Sequence, residues 1–383
     1  MSVTTGMTLK HDADWEKIQC WIHEVTDDYI VVTYRHAFAK LVSRLAQDHF
    51  YGMAGKIHKS DYQVYVLSCM YVASCYACHH PLGLEDLHGL CIRSYTKDKI
   101  VQILHRFVSW MSPSCLFNHE MVHFRKRIAV NEGTTCDLVT YESTDELFVR
   151  KRIEHQGIMP AYDAMVEVFV HYLLEDTRNI ARLVGVNITS QHTNLYYEYV
   201  PTPLDSYFGD IDDLSVLHSL IESLLHGVKQ MHSLGIAHRD LKGMNVHVTP
   251  DHQCMILDVG SAGYGDKRNT MPICTISHRS PDLLQAEIDG VPYTYDGTCL
   301  DMWSIGVLIA EIYMGPEPFG RIPRGTSARY MLARIHQSKE SVLETLRTLC
   351  TVTQMAMIRR CLDDVPTKRP TIDDMVKAFS MHV

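Results

Sequence analysis

Apolar positions in residues 15–111 recur at the three- and four-residue spacing of helices. From Phe38 onward, Leu41, Val42 and Leu45 mark one such face. Val64–Tyr76 is apolar almost all round, which predicts a helix at a domain centre. Thr96 is placed to cap the next helix, with Asp98 in its first turn. That helix carries Ile100, Ile103, Leu104, Phe107, Val108 and Met111 on one side, and Ser112-Pro113-Ser114 ends it.

The pattern changes at about 121. Leu138-Val139-Thr140-Tyr141 and Leu147-Phe148-Val149 are short β-prone runs between polar turns. Ala161–Leu174 reads as helix, and Leu195–Val200 as strand. Beyond Asp212-Asp213, the residues Leu214, Leu217, Ile221, Leu224, Val228 and Met231 line a long amphipathic helix, with Gly235 just past its end. The rest is mostly helical. A sheet-rich piece followed by a helix-rich one predicts an α+β fold of two lobes with a cleft between them.

Composition narrows the class. The chain has 383 residues, enough for two or three cores. With 36 Lys+Arg against 45 Asp+Glu, its net charge of −9 argues against a nucleic-acid binder. Twelve Cys are too few for a disulfide scaffold, and the start shows no secretory signal. The apolar stretches near Tyr62–Ala73 and Trp303–Met314 read as too short to cross a membrane. An intracellular, reducing location is the expectation, in the nucleus or the cytoplasm.

Residues 238–245 read His-Arg-Asp-Leu-Lys-Gly-Met-Asn, and Asp258-Val259-Gly260 follows. The pair resembles the catalytic loop and metal-binding motif of protein kinases. Phosphoryl transfer needs a carboxylate at the incoming hydroxyl, and cations across the phosphates. The resemblance makes Asp240 the catalytic base and Lys242 a charge neutraliser. It places Asn245 and Asp258 on Mg²⁺ and leaves His238 a structural support. Thr275-Ile-Ser-His-Arg-Ser-Pro-Asp282 resembles the end of a kinase activation segment, with His278 for Tyr and Asp282 for Glu. Asp301-Met-Trp-Ser-Ile-Gly306 resembles the buried helix anchoring the catalytic loop. Thr367-Lys-Arg-Pro-Thr371 resembles the late arginine motif. Arg369 should therefore pair with Asp282, through a longer or water-bridged contact because Asp is one methylene shorter than Glu.

In the first lobe, Val149-Arg150-Lys151 occupies the place of the phosphate-binding lysine, with Glu167 as its helical partner and Glu175 as an alternative. Glu198-Tyr199-Val200 fits the hinge, whose backbone would bond adenine, with Tyr197 as gatekeeper. Residues 131–136 read Asn-Glu-Gly-Thr-Thr-Cys where three glycines are expected, so only Gly133 remains to approach ATP. Within the kinases the chain is most similar to the cyclin-dependent, proline-directed group. Arg279 before Ser-Pro suggests a pocket for Pro after the phosphosite. Thr275 would bond Asp240 and Lys242 and mark a serine/threonine enzyme. Thr270 stands where an activating phosphate is carried. Arg239 would receive it, with Lys267 or Arg268 assisting, while the helical arginine of that group is Val166.

Trp21-Ile-His-Glu-Val25, Val72-Ala-Ser74 and Ser94-Tyr-Thr-Lys97 resemble segments of a cyclin box. Cys75 replaces the lysine that grips the kinase. Cys75-Tyr-Ala-Cys78-His79-His80 also has the spacing of haem or zinc ligands, although thiols at the end of a buried helix more often pack as small apolar groups.

The expected organisation is therefore a tail (1–14), an all-α cyclin-like domain (15–111), a linker (112–120) and an α+β bilobal kinase, with lobes at 121–200 and 201–383. The resemblance implies a serine/threonine protein kinase using ATP and Mg²⁺ on protein substrates. The cyclin-like domain would pack on the helix of Glu167 in cis or in a dimer. The compact fusion suggests a large DNA virus as its source. A pseudokinase scaffold, or an active kinase with an unrelated N-terminal adaptor, are the alternatives.

Overall fold

The computed structural model describes residues 96–110 and 119–380, apart from 143, 156–161, 175–176, 208–212, 265, 270–272 and 292, together with 42, 46, 66–71 and 87. The segments at 21–25 and 72–80, and residues Glu175 and Thr270, lie outside the described residues. The chain divides into two compact units. One comprises Met1–Thr144, Arg150–Phe169 and Val184–Tyr196; the other comprises Asp145–Val149, Val170–Leu183 and Tyr197–Val383.

In the first unit, helix α1 spans Lys97–Trp110. Thr96 caps it, accepting from the Lys99 backbone at 3.2 Å. Ile100, Ile103, Leu104 and Phe107 are buried, as the helical spacing predicts. Residues 66–71 are helical and buried throughout, in keeping with the all-round apolar pattern there. Strand β1 (Val122–Asn131) pairs antiparallel with β2 (Thr134–Tyr141), from Val122↔Tyr141 to Asn131↔Thr134. With β3 (Leu147–Glu154), β4 (Leu183–Ile188) and β5 (His192–Glu198) they form a sheet ordered β1-β2-β3-β5-β4. Helix α2 (Tyr162–Leu173) is buried from Ala164 to Val170. Its burial on nearly every side makes Glu167 a carboxylate that requires a partner.

The second unit is mainly helical. Helix α3 (Leu204–Tyr207) is a single turn. Helix α4 (Leu214–Ser233) begins at Asp213, which accepts from Ser215 N at 2.8 Å. Past its end, Gly235 takes φ +73° and donates to His232 O at 2.9 Å, which closes the helix where the glycine predicts. Helix α5 spans Pro281–Asp289, and α6 spans Gly297–Met314. Helix α6 is long and apolar enough to cross a membrane, but 78% of it is buried inside the protein, and it is a core helix. It also carries the polar residues Asp301, Ser304 and Glu311, each of which finds a partner inside. Gly306 lets α6 pack closely on helix α7 (Val352–Cys361), since a methyl group there would stand 2.8 Å from Cys361 Cβ.

Candidate active site

The catalytic-loop motif follows a two-residue strand, Ile236–Ala237. Asp301, projecting from the buried α6, fixes it. Its carboxylate accepts from His238 N and Arg239 N, each at 2.7 Å, and from His232 Nε2 at 2.9 Å. His238 is fully buried; its Nε2 meets Leu257 O at 3.0 Å and its Nδ1 meets Asp240 N at 3.3 Å. Arg239 takes φ +67°, and its guanidinium donates to Ser261 O at 2.6 Å and Ala262 O at 2.9 Å. Gly263 makes room for it, because a methyl group there would sit 2.7 Å from Arg239 Cζ. Arg239 is buried, and two of its guanidinium donors are held by these backbone carbonyls.

Asp240 lies at the centre of a closed network. Its Oδ1 accepts from Thr275 N at 2.9 Å and Thr275 Oγ1 at 2.8 Å. Its Oδ2 accepts from Lys242 Nζ at 2.7 Å and Asn245 Nδ2 at 3.2 Å. Lys242 also donates to Thr275 Oγ1 at 2.8 Å, so three motif positions from two distant segments converge. Asn245 Nδ2 donates further to Asp240 O at 2.9 Å, so its other amide atom, Oδ1, remains for a cation. Asp258 adopts the left-handed conformation (φ +57°, ψ +66°), which Asp tolerates better than most residues. Val259 behind it is fully buried. Asn245 and Asp258 together offer hard oxygen donors, the kind Mg²⁺ selects, and two such side chains suit an ion that also takes phosphate oxygens. Among the described residues no group of three or more His, Cys, Asp or Glu converges on a metal position.

Just before Thr275, Cys274 has φ +64°, a rare conformation for a side-chain-bearing residue. Its carbonyl is turned onto Arg279 Nη2 at 2.7 Å, and Arg279 Nε donates to Ile273 O at 3.0 Å. Arg279 Nη1 also pairs with Glu287. The Cys274 thiol donates to Arg239 O at 2.7 Å, and burial holds its pKa well above the ordinary range, with the Asp301 and Asp240 charges adding to that. It is a packing group rather than a nucleophile.

Asp282 pairs directly with Arg369, which corrects the longer or bridged contact expected from the shorter carboxylate. The long arginine arm makes up the difference. Arg369 lies over the Trp303 ring at 5.5 Å, and its remaining donors reach Asp363 O at 3.1 Å and Cys299 O at 3.0 Å. Tyr293 OH donates to the other Asp282 oxygen. His278, in place of the tyrosine, is buried and meets Glu311 Oε2 at 3.2 Å and Ser277 Oγ at 2.9 Å.

Glu198-Tyr199-Val200, the segment expected to be the hinge, belongs to this second unit. Tyr197 lies against the His171 ring, with centroids 5.4 Å apart. Glu198 N donates to Arg182 O at 3.1 Å, and Val200 O accepts from His247 Nδ1 at 2.6 Å.

In the first unit, Lys151 Nζ pairs with Glu167, whose side chain is 1% exposed. Both residues carry further contacts. Neighbouring Arg150 donates to the buried Asp137 at 2.7 Å, and Arg127 also pairs with Asp137. The reduced glycine motif is a two-residue hairpin turn between Asn131 and Thr134, with Gly133 at φ +68°. Gly133 O accepts from Glu154 N at 2.8 Å, which ties the tip to the end of β3.

Three contributors escape a reading of motifs. His232 and His247 each look like one more scattered histidine. Cys274 shows no signal of its own beyond its place between the activation segment and Arg279.

The comparisons agree with this geometry. The chain is 31% identical over 148 residues to Cell division control protein 2 homolog 1 of Trypanosoma brucei brucei, covering 37% of this chain and 47% of that protein. It is 28% identical over 191 residues to Serine/threonine-protein kinase PSK1 of Saccharomyces cerevisiae, covering 47% and 13%. It is 26% identical over 193 residues to human Mitogen-activated protein kinase 13, covering 49% and 51%. The chain thus spans about half the length of some curated relatives and far less of others. The Protein kinase domain family matches residues 130–379, and on that match, together with the network around Asp240, the chain belongs to the protein kinase domain family.

Proposed function

We propose that this chain is an ATP-dependent protein serine/threonine kinase. The reading rests chiefly on one observation, the network joining Asp240, Lys242, Asn245 and Thr275. It holds a carboxylate acceptor, a cation and an oxygen donor at one point. In the reaction, the substrate hydroxyl oxygen bonds to the γ-phosphorus, the bond to the β–γ bridging oxygen breaks, ADP leaves, and the hydroxyl proton passes to Asp240. Lys242 offsets charge on the moving phosphoryl group. Lys151, oriented by Glu167, positions the α- and β-phosphates. Mg²⁺ would be held by Asn245 and Asp258 and would supply charge neutralisation at the phosphates. The test is a radiolabelled ATP assay with wild type beside Asp258→Ala. Incorporation into protein that the variant lacks supports the kinase; none in either supports a pseudokinase scaffold, the reading favoured by Asn131 and Cys136.

The proposed preference is for Pro after the phosphosite. Cys274 turns its carbonyl away to Arg279, so no acceptor is left for a substrate amide there, and a residue lacking N–H loses nothing. Leu283 and Leu300 pack with Ile273, Cys274 and Tyr293 and give the position an apolar floor.

Residues 15–111 are proposed to activate the kinase through the helix of Glu167. Support comes from α1, which falls in the same compact unit as Lys151 and Glu167. Loss of activity on deleting 1–112 is the expected result, and undiminished activity would make the region an adaptor.

A further inference from the structure

The second unit contains a cavity of about 560 Å³, the size of a small-molecule site. None of its lining residues belongs to the network around Asp240. Its walls are Arg178 and Asn179, the α4 residues His226 and Gln230, the turn 249–253, and Met255. Gly227 draws two of these walls together, since a methyl group there would stand 2.9 Å from Asn179 O and 3.1 Å from Asn179 Cβ. Arg178 and His226 each come just before one partner of that contact, so they share one end of the cavity. The turn is fastened about 12 Å away along the same helix, at Ser219. There Ser219 Oγ donates to His252 O at 3.2 Å and accepts from Gln253 Nε2 at 2.7 Å. Asp251, on that turn, therefore stands toward the opposite end.

Most polar groups of the walls are already engaged. Asn179 Nδ2 donates to Cys254 O at 3.2 Å, and Gln253 N donates to Thr249 Oγ1 at 3.0 Å. The Thr249 side chain and the turn backbone hold the Asp251 carboxyl below its ordinary pKa. The unused groups collect near Gly227. Among the described residues no carboxylate pairs with Arg178 or His226, and Gln230 Oε1 is buried without a partner.

These three groups define a ligand. Arg178 is a permanent cation with a fork of donors, and His226 has a ring N–H in either protonation state. Together they select an anion, and a phosphate monoester matches the fork. Gln230 Oε1 is an acceptor whose isolation is costly, and a hydroxyl on the same ligand satisfies it. Met255 is the one apolar side chain in the lining, and no Phe, Tyr or Trp is present for a purine or pyrimidine to stack on.

We propose that this cavity binds a small phosphorylated polyol such as a sugar phosphate, with its phosphate on Arg178 and His226 and a hydroxyl on Gln230. The proposal stands apart from the kinase reading and is tested by binding alone.

The experiment is a calorimetric titration of the full chain with glucose 6-phosphate, with and without ADP and Mg²⁺. One site with Kd of about 1 mM or tighter is expected, unmoved by ADP. Arg178→Gln and His226→Gln should each weaken binding about tenfold, the worth of a hydrogen bond to a charged group, with the thermal midpoint unchanged. Gln230→Ala should weaken glucose 6-phosphate about fivefold and leave the binding of inorganic phosphate as it is. No binding by folded wild type at about 10 mM ligand overturns the proposal. So does displacement by ADP, which would place the ligand in the nucleotide site, or an affinity that neither Arg178→Gln nor His226→Gln alters. A Gln230→Ala variant that keeps full affinity for glucose 6-phosphate overturns the polyol assignment. A phosphoserine peptide that binds more tightly than glucose 6-phosphate overturns it too, and gives the site to a phosphoprotein.

Discussion

The catalytic loop and the hairpin of residues 131–134 depart from the kinase pattern to very different degrees. In the loop, the positions that carry chemistry are present, and the structure surrounds them with bonds from distant segments: Asp301 beneath, Thr275 beside, Leu257 behind. In the hairpin one glycine of three remains, yet the strands stay paired up to Asn131↔Thr134. The difference lies in what each region supplies. The loop supplies side-chain charge at fixed points, which no other residue type can provide. The hairpin supplies backbone, which any residue carries, provided that the one turn needing positive φ keeps its glycine.

The sharpest way to break that comparison is to remove the side-chain chemistry. Asp240→Asn removes the proposed proton acceptor but keeps the shape, and Lys151→Met removes the proposed phosphate-binding cation while leaving Glu167 buried. Phosphotransfer should fall by about 10³-fold or more in each, with the unfolding transition kept cooperative. Wild-type turnover in either variant would remove that residue from the site.

Next comes the support beneath the loop. Asp301 is 1% exposed and satisfies two backbone N–H groups and a histidine. Asp301→Ala leaves those donors buried and unpaired, at about 1–3 kcal/mol each. The urea midpoint should drop by an amount worth about 3 kcal/mol with an unchanged slope, and activity should fall with it. A variant as stable as wild type would mean that the loop holds its shape without Asp301.

Much of this was readable from residues alone. Thr96, Asp213 and Gly235 mark helix ends because capping is local chemistry. The loop motif is legible because phosphoryl transfer constrains residue type and spacing together. The positive φ of Cys274 was not legible. Nothing in a cysteine announces a left-handed backbone, and the conformation is held by Arg279, which also bonds the carbonyl of Ile273. The burial of Arg239 was hidden for a similar reason, since its partners are backbone carbonyls and its space comes from Gly263. The Asp282–Arg369 pair was legible, but its directness was not, because side-chain length was counted on one partner only.

Arg279 gives a milder test, confined to selectivity. Arg279→Lys keeps the charge but cannot serve the Ile273 and Cys274 carbonyls with one planar fork. The Cys274 carbonyl is then freer to turn toward the substrate and accept an amide. The ratio of kcat/KM for Ser-Pro over Ser-Ala peptides should fall about tenfold, with the Ser-Ala rate nearly kept. An unchanged ratio would detach proline selectivity from this contact.

The smallest effects belong to the hairpin, and they sharpen the comparison most. Gly133 has open space around its missing side chain, so Gly133→Ala meets no clash and costs only the strain of positive φ, about 1 kcal/mol. KM for ATP should rise about fivefold at constant kcat. Restoring the lost glycines with Asn131→Gly and Cys136→Gly is expected to change KM for ATP by less than about threefold. Both positions sit in the strand ladder, opposite Thr134 and Ala129, where glycine adds chain entropy and shifts no backbone group toward a phosphate. A tenfold gain from the restored glycines would show that the hairpin limits this kinase after all, and that backbone approach depends on residue type there as strictly as charge does in the loop.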